Sequence, residues 1–202
     1  MSDLVNSPTS RDRKVIKSAP IKRAGPNICV FCGSNPGQDP IFANEAGNLA
    51  SELVTRGYGL VYGGASVGIM GMLADQVMAK GGRVHGVIPS SLKEREVAHK
   101  GLTELRVVTT MHERKKLMFD LSEAFITFPG GFGTLDETFE IITWKQIGLH
   151  EKPIVFLNIK GFYAPLINFI DTAVAAGFIK PEHRKHFLVA DTVKEAMDLI
   201  AK

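Results

Sequence analysis

From residue 27 onward, short runs rich in β-branched residues alternate with longer stretches whose apolar residues recur every three or four positions. This alternation is typical of a parallel sheet covered by helices on both faces, since parallel strands need long crossover connections. Gly57, Gly81 and Gly177 stand where three of these helices should end. No repeat interrupts the order, so we predict one Rossmann-like, doubly wound α/β domain over residues 27–202, with a mostly parallel sheet of six or seven strands. The predicted strands are 27–32, 58–62, 83–88, 104–108, 123–128, 153–157 and, as a seventh, 186–190, and the predicted helices are 39–56, 67–80, 111–121, 134–148, 164–176 and 192–201.

The positive charge of the chain is concentrated at its N-terminus. Residues 1–26 carry six basic and two acidic side chains, and 18 basic and 19 acidic groups follow, so the predicted domain is near neutral. We therefore predict a flexible basic tail over residues 1–26, without a nucleic-acid partner, because no nucleic-acid-reading motif accompanies the charge. A transit peptide is the alternative, which the short and poorly amphipathic stretch disfavours. The chain lacks a long apolar run, so we expect a cytoplasmic protein without a membrane partner.

The two cysteines and the histidines offer no convincing redox or metal site. Cys29 and Cys32 form a CxxC, but they lie in a predicted strand, where residues three apart face opposite ways. His183 and His186 have no cysteine or acidic motif beside them, so we expect surface residues and no metal.

Three predicted strands end in glycine-bearing turns that lead into helices. These turns are Cys32-Gly-Ser-Asn-Pro-Gly37, Tyr62-Gly-Gly-Ala-Ser-Val-Gly-Ile-Met-Gly71 and Phe128-Pro-Gly-Gly-Phe-Gly-Thr134. Glycine lets backbone N–H groups approach a ligand, and a helix N-terminus favours negative charge, so a phosphate is the expected ligand. In an open parallel sheet the turns meet at the carboxyl edge, which predicts a nucleotide-type site. The GxGxxG and GxxxxGK[ST] patterns are absent, so dinucleotide and P-loop sites are disfavoured.

Two capping-box patterns stand next to charged residues. Thr110-Met-His-Glu113 opens a helix that presents Arg114 and Lys115, and Thr134-Leu-Asp-Glu137 spells the same pattern after the third glycine turn. A role in helix capping would by itself account for a glutamate at position 137. Exposure to solvent on a helix surface would by itself account for Arg114 and Lys115. Their convergence at the strand edge that holds the phosphate-type turns indicates a functional site instead.

These residues also resemble a known family. Pro129-Gly-Gly-Phe-Gly-Thr-Leu-Asp-Glu137 is similar to the PGGxGTxxE motif of LOG-like phosphoribohydrolases, the cytokinin-activating enzymes, and Met111-His-Glu-Arg-Lys115 with Met118 is similar to their MxxRKxxM element. Further matching segments bring the resemblance to roughly residues 27–190. They are Gly33-Ser34, Tyr62-Gly-Gly64, Gly68-Ile-Met-Gly71, Arg95-Glu96 and Ile142-Thr-Trp144.

The resemblance implies hydrolysis of the N-glycosidic bond of cytokinin riboside 5′-monophosphates or AMP, with no cofactor, by a homodimer or higher homo-oligomer. It implies that Arg114 and Glu137 are the catalytic pair. We take helix 134–148 as the candidate interface. The positions expected to bind phosphate, ribose or base are Gly33, Ser34, Gly63, Gly64, Glu96, Lys115, Gly130, Gly131, Phe132, Gly133, Thr134, Leu135, Asp136 and Thr143.

Three departures from the family pattern bear on specificity: Ala65 replaces a third glycine, Asp136 a glutamate and Phe132 a tyrosine. The alternatives are a general purine or pyrimidine monophosphate nucleosidase and a non-catalytic nucleotide-binding module. Members of the family are also labelled lysine decarboxylases, yet that chemistry needs a pyridoxal phosphate lysine, and neither Lys115 nor Lys116 has suitable surroundings.

Overall fold

The computed structural model describes residues 25–92 and 98–202, which form a three-layer α/β/α domain. The predicted alternation of strands and helices is confirmed along the whole of this part. The strands are β1 (Asn27–Phe31), β2 (Gly59–Tyr62), β3 (Val84–Pro89), β4 (Glu104–Val108), β5 (Ala124–Thr127), β6 (Ile154–Leu157) and β7 (Leu188–Ala190). The α-helices are α1 (Pro40–Thr55), α2 (Gly68–Ala79), α3 (Met111–Leu121), α4 (Phe132–Gln146), α5 (Ala164–Ala175) and α6 (Val193–Ile200), with short 3₁₀ turns at Ile159–Gly161 and His183–His186.

The seven strands form one sheet in the order β4-β3-β2-β1-β5-β6-β7, and every neighbouring pair is parallel. The chain therefore winds outward from β1 in one direction and then from β5 in the other. The switch point lies between β1 and β5, where doubly wound proteins bind their ligands at the carboxyl ends of the strands.

Two apolar clusters fill the space on the two faces of the sheet. One cluster packs α1, α2 and α6 on one face, and the other packs α3, α4 and α5 on the opposite face. Cys32 belongs to the first cluster and Cys29 to the second, as expected for residues three apart on a strand. Both thiols are free and buried, and burial raises the pKa of each well above its ordinary value.

The predicted helix ends are confirmed where glycine was expected. Gly57, Gly81 and Gly177 have φ values of 78°, 76° and 82°, each just beyond a helix. In this left-handed region glycine is favoured because it has no Cβ to clash with the backbone.

The last predicted strand is shorter than expected, since residues 183–186 form a 3₁₀ turn before β7. His183 and His186 lie in that turn, where they are partly buried and stacked on each other at 5.2 Å.

The predicted basic tail lies outside the described residues, apart from its last two positions. Among the helices of the described residues, none is both long and apolar enough to cross a membrane. The cytoplasmic location remains a prediction from the sequence.

Candidate active site

The three glycine-bearing turns lie against one another at the carboxyl edge of the sheet. The backbone N–H of Met70 donates to the carbonyl of Gly33 at 3.3 Å, which joins the turn after β2 to the turn after β1. A Cβ on Gly68 would collide with the backbone of Ser34, and a Cβ on Gly130 would collide with the Thr134 side chain. Glycine at these two positions therefore permits a close approach that no other residue allows.

The turn after β5 ends in the exposed N-terminus of α4. Gly131 is the N-cap, and the first hydrogen bond of the helix joins the N–H of Leu135 to the carbonyl of Gly131 at 3.1 Å. The N–H groups of Phe132, Gly133 and Thr134 precede this bond and have no partner within the helix. A Cβ on Gly131 or Gly133 would meet no atom of the described residues within 4 Å, so both glycines leave open space in front of these donors.

This open space belongs to a pocket of about 480 Å³, within the usual size of small-molecule sites. It extends from the turn after β1, across the N-terminus of α4, to the segment that follows β6. The lining residues are Cys32, Gly33, Ser34, Asn35, Pro36, Gly37, Phe42, Ile69, Met70, Arg114, Pro129, Gly130, Gly131, Phe132, Gly133, Thr134, Glu137 and Phe162.

The capping box predicted at Thr134–Glu137 is wrong. Helix α4 begins at Phe132, so Thr134 lies inside the helix, where it is 3% exposed. The Glu137 carboxylate instead accepts a hydrogen bond from Arg114 at 2.7 Å. The other capping box is confirmed, because Thr110 accepts from the N–H of Glu113 while the Glu113 carboxylate accepts from the N–H of Thr110.

The Arg114 guanidinium is anchored at three points. Its Nε donates to the carbonyl of Val87 at 3.1 Å and its Nη2 to the carbonyl of Gly63 at 3.4 Å, while Nη1 contacts Glu137. Val87 is in β3 and Gly63 follows β2, so one side chain connects two strands to α4. A Cβ on Gly63 would collide with the guanidinium, which explains why glycine stands there.

Arg114 and Glu137 form a buried ion pair at the wall of the pocket. Their side chains are 8% and 9% exposed. Burial of a single charge to this degree is costly, and a hydrogen-bonded partner of opposite sign compensates much of the cost. The pair influences nearby groups as well. Burial is the main reason that the pKa of Cys32 is raised, and the Glu137 charge adds to the shift while Arg114 opposes it.

Buried hydroxyl groups behind α4 fix its first turns against the sheet. Thr138 donates to the carbonyl of Thr134 at 2.7 Å, and its hydroxyl lies 2.9 Å from that of Thr127 in β5. Tyr163 donates its hydroxyl to the carbonyl of Phe128 at 2.8 Å, at the start of the glycine-bearing turn. These bonds hold the N-terminal end of α4 in place.

Nine of the predicted site residues line the pocket, six lie elsewhere in the domain, and one lies outside the described residues. Gly63 lies behind Arg114, and Gly64 accepts from the N–H of His99 at 3.0 Å. Leu135 packs into the core, and the hydroxyl of Thr143 donates to the carbonyl of Phe139 within α4. Glu96 lies outside the described residues. The predicted residues that line the pocket are Gly33, Ser34, Arg114, Gly130, Gly131, Phe132, Gly133, Thr134 and Glu137.

Lys115 lies beside the pocket and contacts two carboxylates of α4. Its Nζ is 3.1 Å from Glu140 and 3.3 Å from Asp136. Burial disfavours the charge of Lys115, but the bonds to Glu140 and Asp136 outweigh it and raise its pKa. Lys116 is 62% exposed and pairs with Asp120. Neither lysine lines the pocket.

Among the described residues, no three His, Cys, Asp or Glu side chains are grouped to hold a metal ion.

Several pocket residues were not predicted from the sequence. Phe42 belongs to the first turn of α1 and Phe162 follows β6, and their rings meet edge to face at 5.8 Å. Phe162 had a detectable signal, because every parallel strand ends at the same edge and β6 was predicted as a strand. Ile69 and Met70 also had a detectable signal in the sequence, since they lie within the glycine-bearing segment after β2.

A doubly wound sheet, an exposed helix N-terminus at its switch point and a buried arginine–carboxylate pair together define a Rossmann-like protein with a pocket at that helix N-terminus. Residues 70–200 match the family model described as possible lysine decarboxylase. The chain is 48% identical over 168 residues to the cytokinin riboside 5′-monophosphate phosphoribohydrolase LOG of Oryza sativa, covering 83% of this chain and 69% of that protein. A cytokinin riboside 5′-monophosphate phosphoribohydrolase of Arabidopsis thaliana is 46% identical over 175 residues, covering 87% and 77%. The chain belongs to the family of these phosphoribohydrolases.

The fold has solved counterparts at lower identity. A molybdenum cofactor carrier protein from Chlamydomonas reinhardtii superimposes with a TM-score of 0.66 at 21% identity, covering 87% of this chain and 95% of that one. This likeness concerns the arrangement of strands and helices alone.

Proposed function

We propose that this protein is a phosphoribohydrolase that cleaves the N-glycosidic bond of cytokinin riboside 5′-monophosphates and AMP. The observation that carries the proposal is the buried Arg114–Glu137 pair in the wall of the pocket that the unpaired N-terminus of α4 opens into. The family supports the same reaction, since its relatives are named for it. The products are the free base and ribose 5-phosphate.

The orientation of the substrate follows from the charges along the pocket. The N–H groups of Phe132, Gly133 and Thr134 and the dipole of α4 favour the dianionic 5′-phosphate. Glu137 lies one turn farther along α4 and would repel a phosphate, so the sugar and the base occupy that end. This places C1′ of the ribose near the Glu137 carboxylate.

Cleavage breaks the bond between C1′ and the base nitrogen, and the bonding electron pair leaves with the base. Positive charge then develops on C1′ and the ring oxygen, and a fixed carboxylate beside them stabilises this oxocarbenium-like state. Water adds its oxygen to C1′, and one proton from that water ends on the released base. Glu137 is the group that stabilises the cation and orients or deprotonates the water.

Arg114 serves this carboxylate by fixing its position. Three of its donors contact Val87, Gly63 and Glu137, so the guanidinium cannot turn freely toward a substrate. A carboxylate that is already oriented needs no reorganisation as charge develops, which is the main electrostatic contribution to such catalysis. The remaining N–H groups of Arg114 are available to a ribose oxygen.

Two further properties belong to the proposal. The phosphate supplies binding energy away from the reacting bond, so nucleoside monophosphates are preferred over nucleosides. A homodimer forms through α4, because this helix and the turn after it expose large apolar side chains that a partner subunit would cover. These exposed side chains are Phe132, Phe139, Ile147 and Leu149.

The test is product analysis with AMP and N6-isopentenyl AMP, using the Glu137→Gln variant beside the wild-type protein. Wild-type protein releases base and ribose 5-phosphate, and the variant is slowed about a hundredfold or more, because a neutral amide does not stabilise the cation. Glu45→Gln is the matched control, since Glu45 accepts a hydrogen bond from Asn48 within α1 and does not line the pocket. A folded Glu137→Gln variant with full activity would contradict the assigned role. Binding of AMP without release of base by the wild type would favour a non-catalytic nucleotide-binding module.

A further inference from the structure

The turn after β2 supports Arg114 from outside the pocket. The carbonyl of Gly63 accepts from Arg114 Nη2 at 3.4 Å, although Gly63 and Gly64 do not line the pocket. Gly64 has a φ of 80°, and a Cβ there would lie 3.2 Å from the side chains of Ile88 and Leu105. The turn is therefore packed closely against β3 and β4, and a group that holds it also holds one of the three anchors of the guanidinium.

The connection between β3 and β4 contacts this turn directly. The N–H of His99 donates to the carbonyl of Gly64 at 3.0 Å, and Ala98 forms an isolated antiparallel bridge with Ala65. The carbonyl just before that of Gly64 is the one that accepts from Arg114. Two adjacent and rigid peptide groups are thus bonded, one to the guanidinium and the other to the connection. A shift of the connection would therefore move the acceptor that orients Arg114.

The His99 ring uses both of its nitrogens. Nδ1 accepts from the N–H of Gly101 at 3.1 Å, and Nε2 lies 2.9 Å from Asp75 Oδ1. A backbone N–H can only donate, so Nδ1 carries no proton, and the neutral ring donates from Nε2 to the carboxylate. The His99 side chain is also shielded from solvent, with 11% of it exposed. The orientation of the ring is therefore fixed by two hydrogen bonds.

Asp75 belongs to α2, the helix that begins at the end of the same turn. The backbone of His99 thus holds the turn, and its side chain holds the helix that follows. We call His99 and Asp75 the clasp. Because the Asp75 carboxylate is 67% exposed, its bond to the ring contributes little to the folding free energy. The clasp is better suited to fixing the geometry of the turn than to stabilising the whole domain.

We propose that His99 is a positioning residue for the hydrolysis. The clasp holds the turn after β2 where the Gly63 carbonyl orients the Arg114 guanidinium, and the guanidinium in turn orients the Glu137 carboxylate. His99 and Asp75 do not line the pocket, so they act without touching the substrate. This inference rests on the proposed function, because its kinetic consequence falls on the step in which Glu137 stabilises the developing cation.

The clasp should affect the chemical step and leave substrate binding nearly unchanged. The N–H groups that we propose bind the phosphate belong to α4, which follows β5, and β1 separates β5 from β2 in the sheet. A small displacement of Arg114 leaves these donors in place but misaligns the carboxylate. A misplacement of about 1 Å caused by a distant substitution costs up to about a hundredfold in rate. Loss of the clasp is therefore expected in kcat rather than in KM.

The experiment measures adenine release from AMP by four variants. His99→Ala and Asp75→Ala break the bond between the ring and α2. His99→Gln places an amide N–H about where Nε2 stands, and Asp75→Asn keeps an acceptor oxygen, so both preserve a neutral hydrogen bond. The two alanine variants should lower kcat about tenfold or more, with KM within about twofold of the wild-type value. The two amide variants should retain most of the wild-type kcat.

His85→Ala is the matched control. His85 Nδ1 lies 3.2 Å from Glu104 Oε2 and its side chain is 17% exposed, so it is another shielded histidine bonded to a carboxylate. It stands near the start of β3, at the edge of the sheet opposite the pocket. The control should retain the wild-type kcat. An equal loss of kcat in His85→Ala and His99→Ala, or a rise in KM without a change in kcat, would overturn the proposal.

Hydrogen exchange followed by mass spectrometry gives a readout that does not depend on activity. The N–H of Met70 donates to the carbonyl of Gly33 at 3.3 Å, so residues 63–71 contain a protected amide. Exchange in this segment should be several-fold faster in both alanine variants and unchanged in the histidine control, while urea unfolding confirms that each variant is folded. Since the Asp75 side chain lies at the surface, Asp75→Ala should fold and tests the clasp by itself if His99→Ala is unstable.

The two readouts separate this proposal from the proposed reaction. Adenine release with an unchanged kcat in both alanine variants would support the hydrolase and refute the clasp. Absence of adenine release by the wild-type protein would refute the hydrolase, and the exchange measurement would then decide whether the clasp holds the turn. Faster exchange in the alanine variants would support that role, and unchanged exchange would refute it.

Discussion

The Arg114–Glu137 ion pair is suited to a double-mutant cycle, because both side chains are buried and each contacts the other directly. Arg114→Met retains most of the side-chain volume but leaves the Glu137 charge uncompensated in the interior. The carbonyls of Val87 and Gly63 also lose their donor. Removing one member of a buried pair costs about 3–5 kcal/mol of folding free energy. Glu137→Gln keeps an acceptor for Nη1 at 2.7 Å and should cost about 1–3 kcal/mol.

In the double variant neither charge remains buried, so the loss of folding free energy should be smaller than the sum of the two single losses. We expect a coupling energy of at least about 2 kcal/mol, within the range for residues in direct contact. Equilibrium unfolding in urea measures all four proteins. With a urea dependence of about 2–3 kcal/mol/M, the Arg114→Met midpoint should fall by about 1–2.5 M. Losses that add to within about 0.5 kcal/mol would refute the coupling and, with it, the role of Arg114 in fixing the carboxylate.

The remaining predictions concern two glycines and a carboxylate. Gly63→Ala should cost about 1–3 kcal/mol and slow base release, since its Cβ displaces the Arg114 guanidinium. Gly47→Ala in the middle of α1, where a Cβ meets no described atom within 4 Å, should instead stabilise the protein by about 0.5–1 kcal/mol; thermal melts compare the two. The hydrogen bond from Lys160 lowers the pKa of Asp39, so its contribution to stability is complete above the ordinary pKa of an aspartate and is lost as the pH falls through the lowered value. Asp39→Asn should therefore flatten the dependence of melting temperature on pH below about pH 4, and an unchanged acid slope would contradict this.

The sheet and its helices were predictable because each signal is local. A run such as Asn27–Phe31 shows its β-branched and apolar character within five residues, and Gly57 marks the end of α1 by its own backbone requirement. The start of α4 was mispredicted because the prediction relied on a local pattern alone. Thr134 and Glu137 have the spacing of a capping box, but the partner of the Glu137 carboxylate is 23 residues away on α3.

The candidate site was predictable only as far as turns at strand ends reveal it. The glycines after β1, β2 and β5 indicate an edge where backbone donors meet. Those after β1 and β5 line the pocket, whereas Gly63 and Gly64 after β2 do not. The ion pair of Asp39 with Lys160 spans 121 positions of sequence, and the contact of Phe42 with Phe162 spans nearly as many. No periodicity or spacing reports such pairs, because they result from the order of the strands across the sheet.

The strand order also determines when the site can form during synthesis on the ribosome. Strand β1 pairs with β2 as soon as residue 62 has emerged, yet its other edge stays open until β5 is available, since Ile28 pairs with Ala124. The nascent chain must therefore carry a half-paired central strand for more than 60 further residues. Arg114 is synthesised in that interval without Glu137, and the carboxylate that neutralises it arrives only with α4. Pairing of the second edge of β1 and compensation of the Arg114 charge therefore both wait for the segment from β5 to α4. A fragment ending before α4 would contain Arg114 without its carboxylate and would lack the helix N-terminus that we propose binds the phosphate.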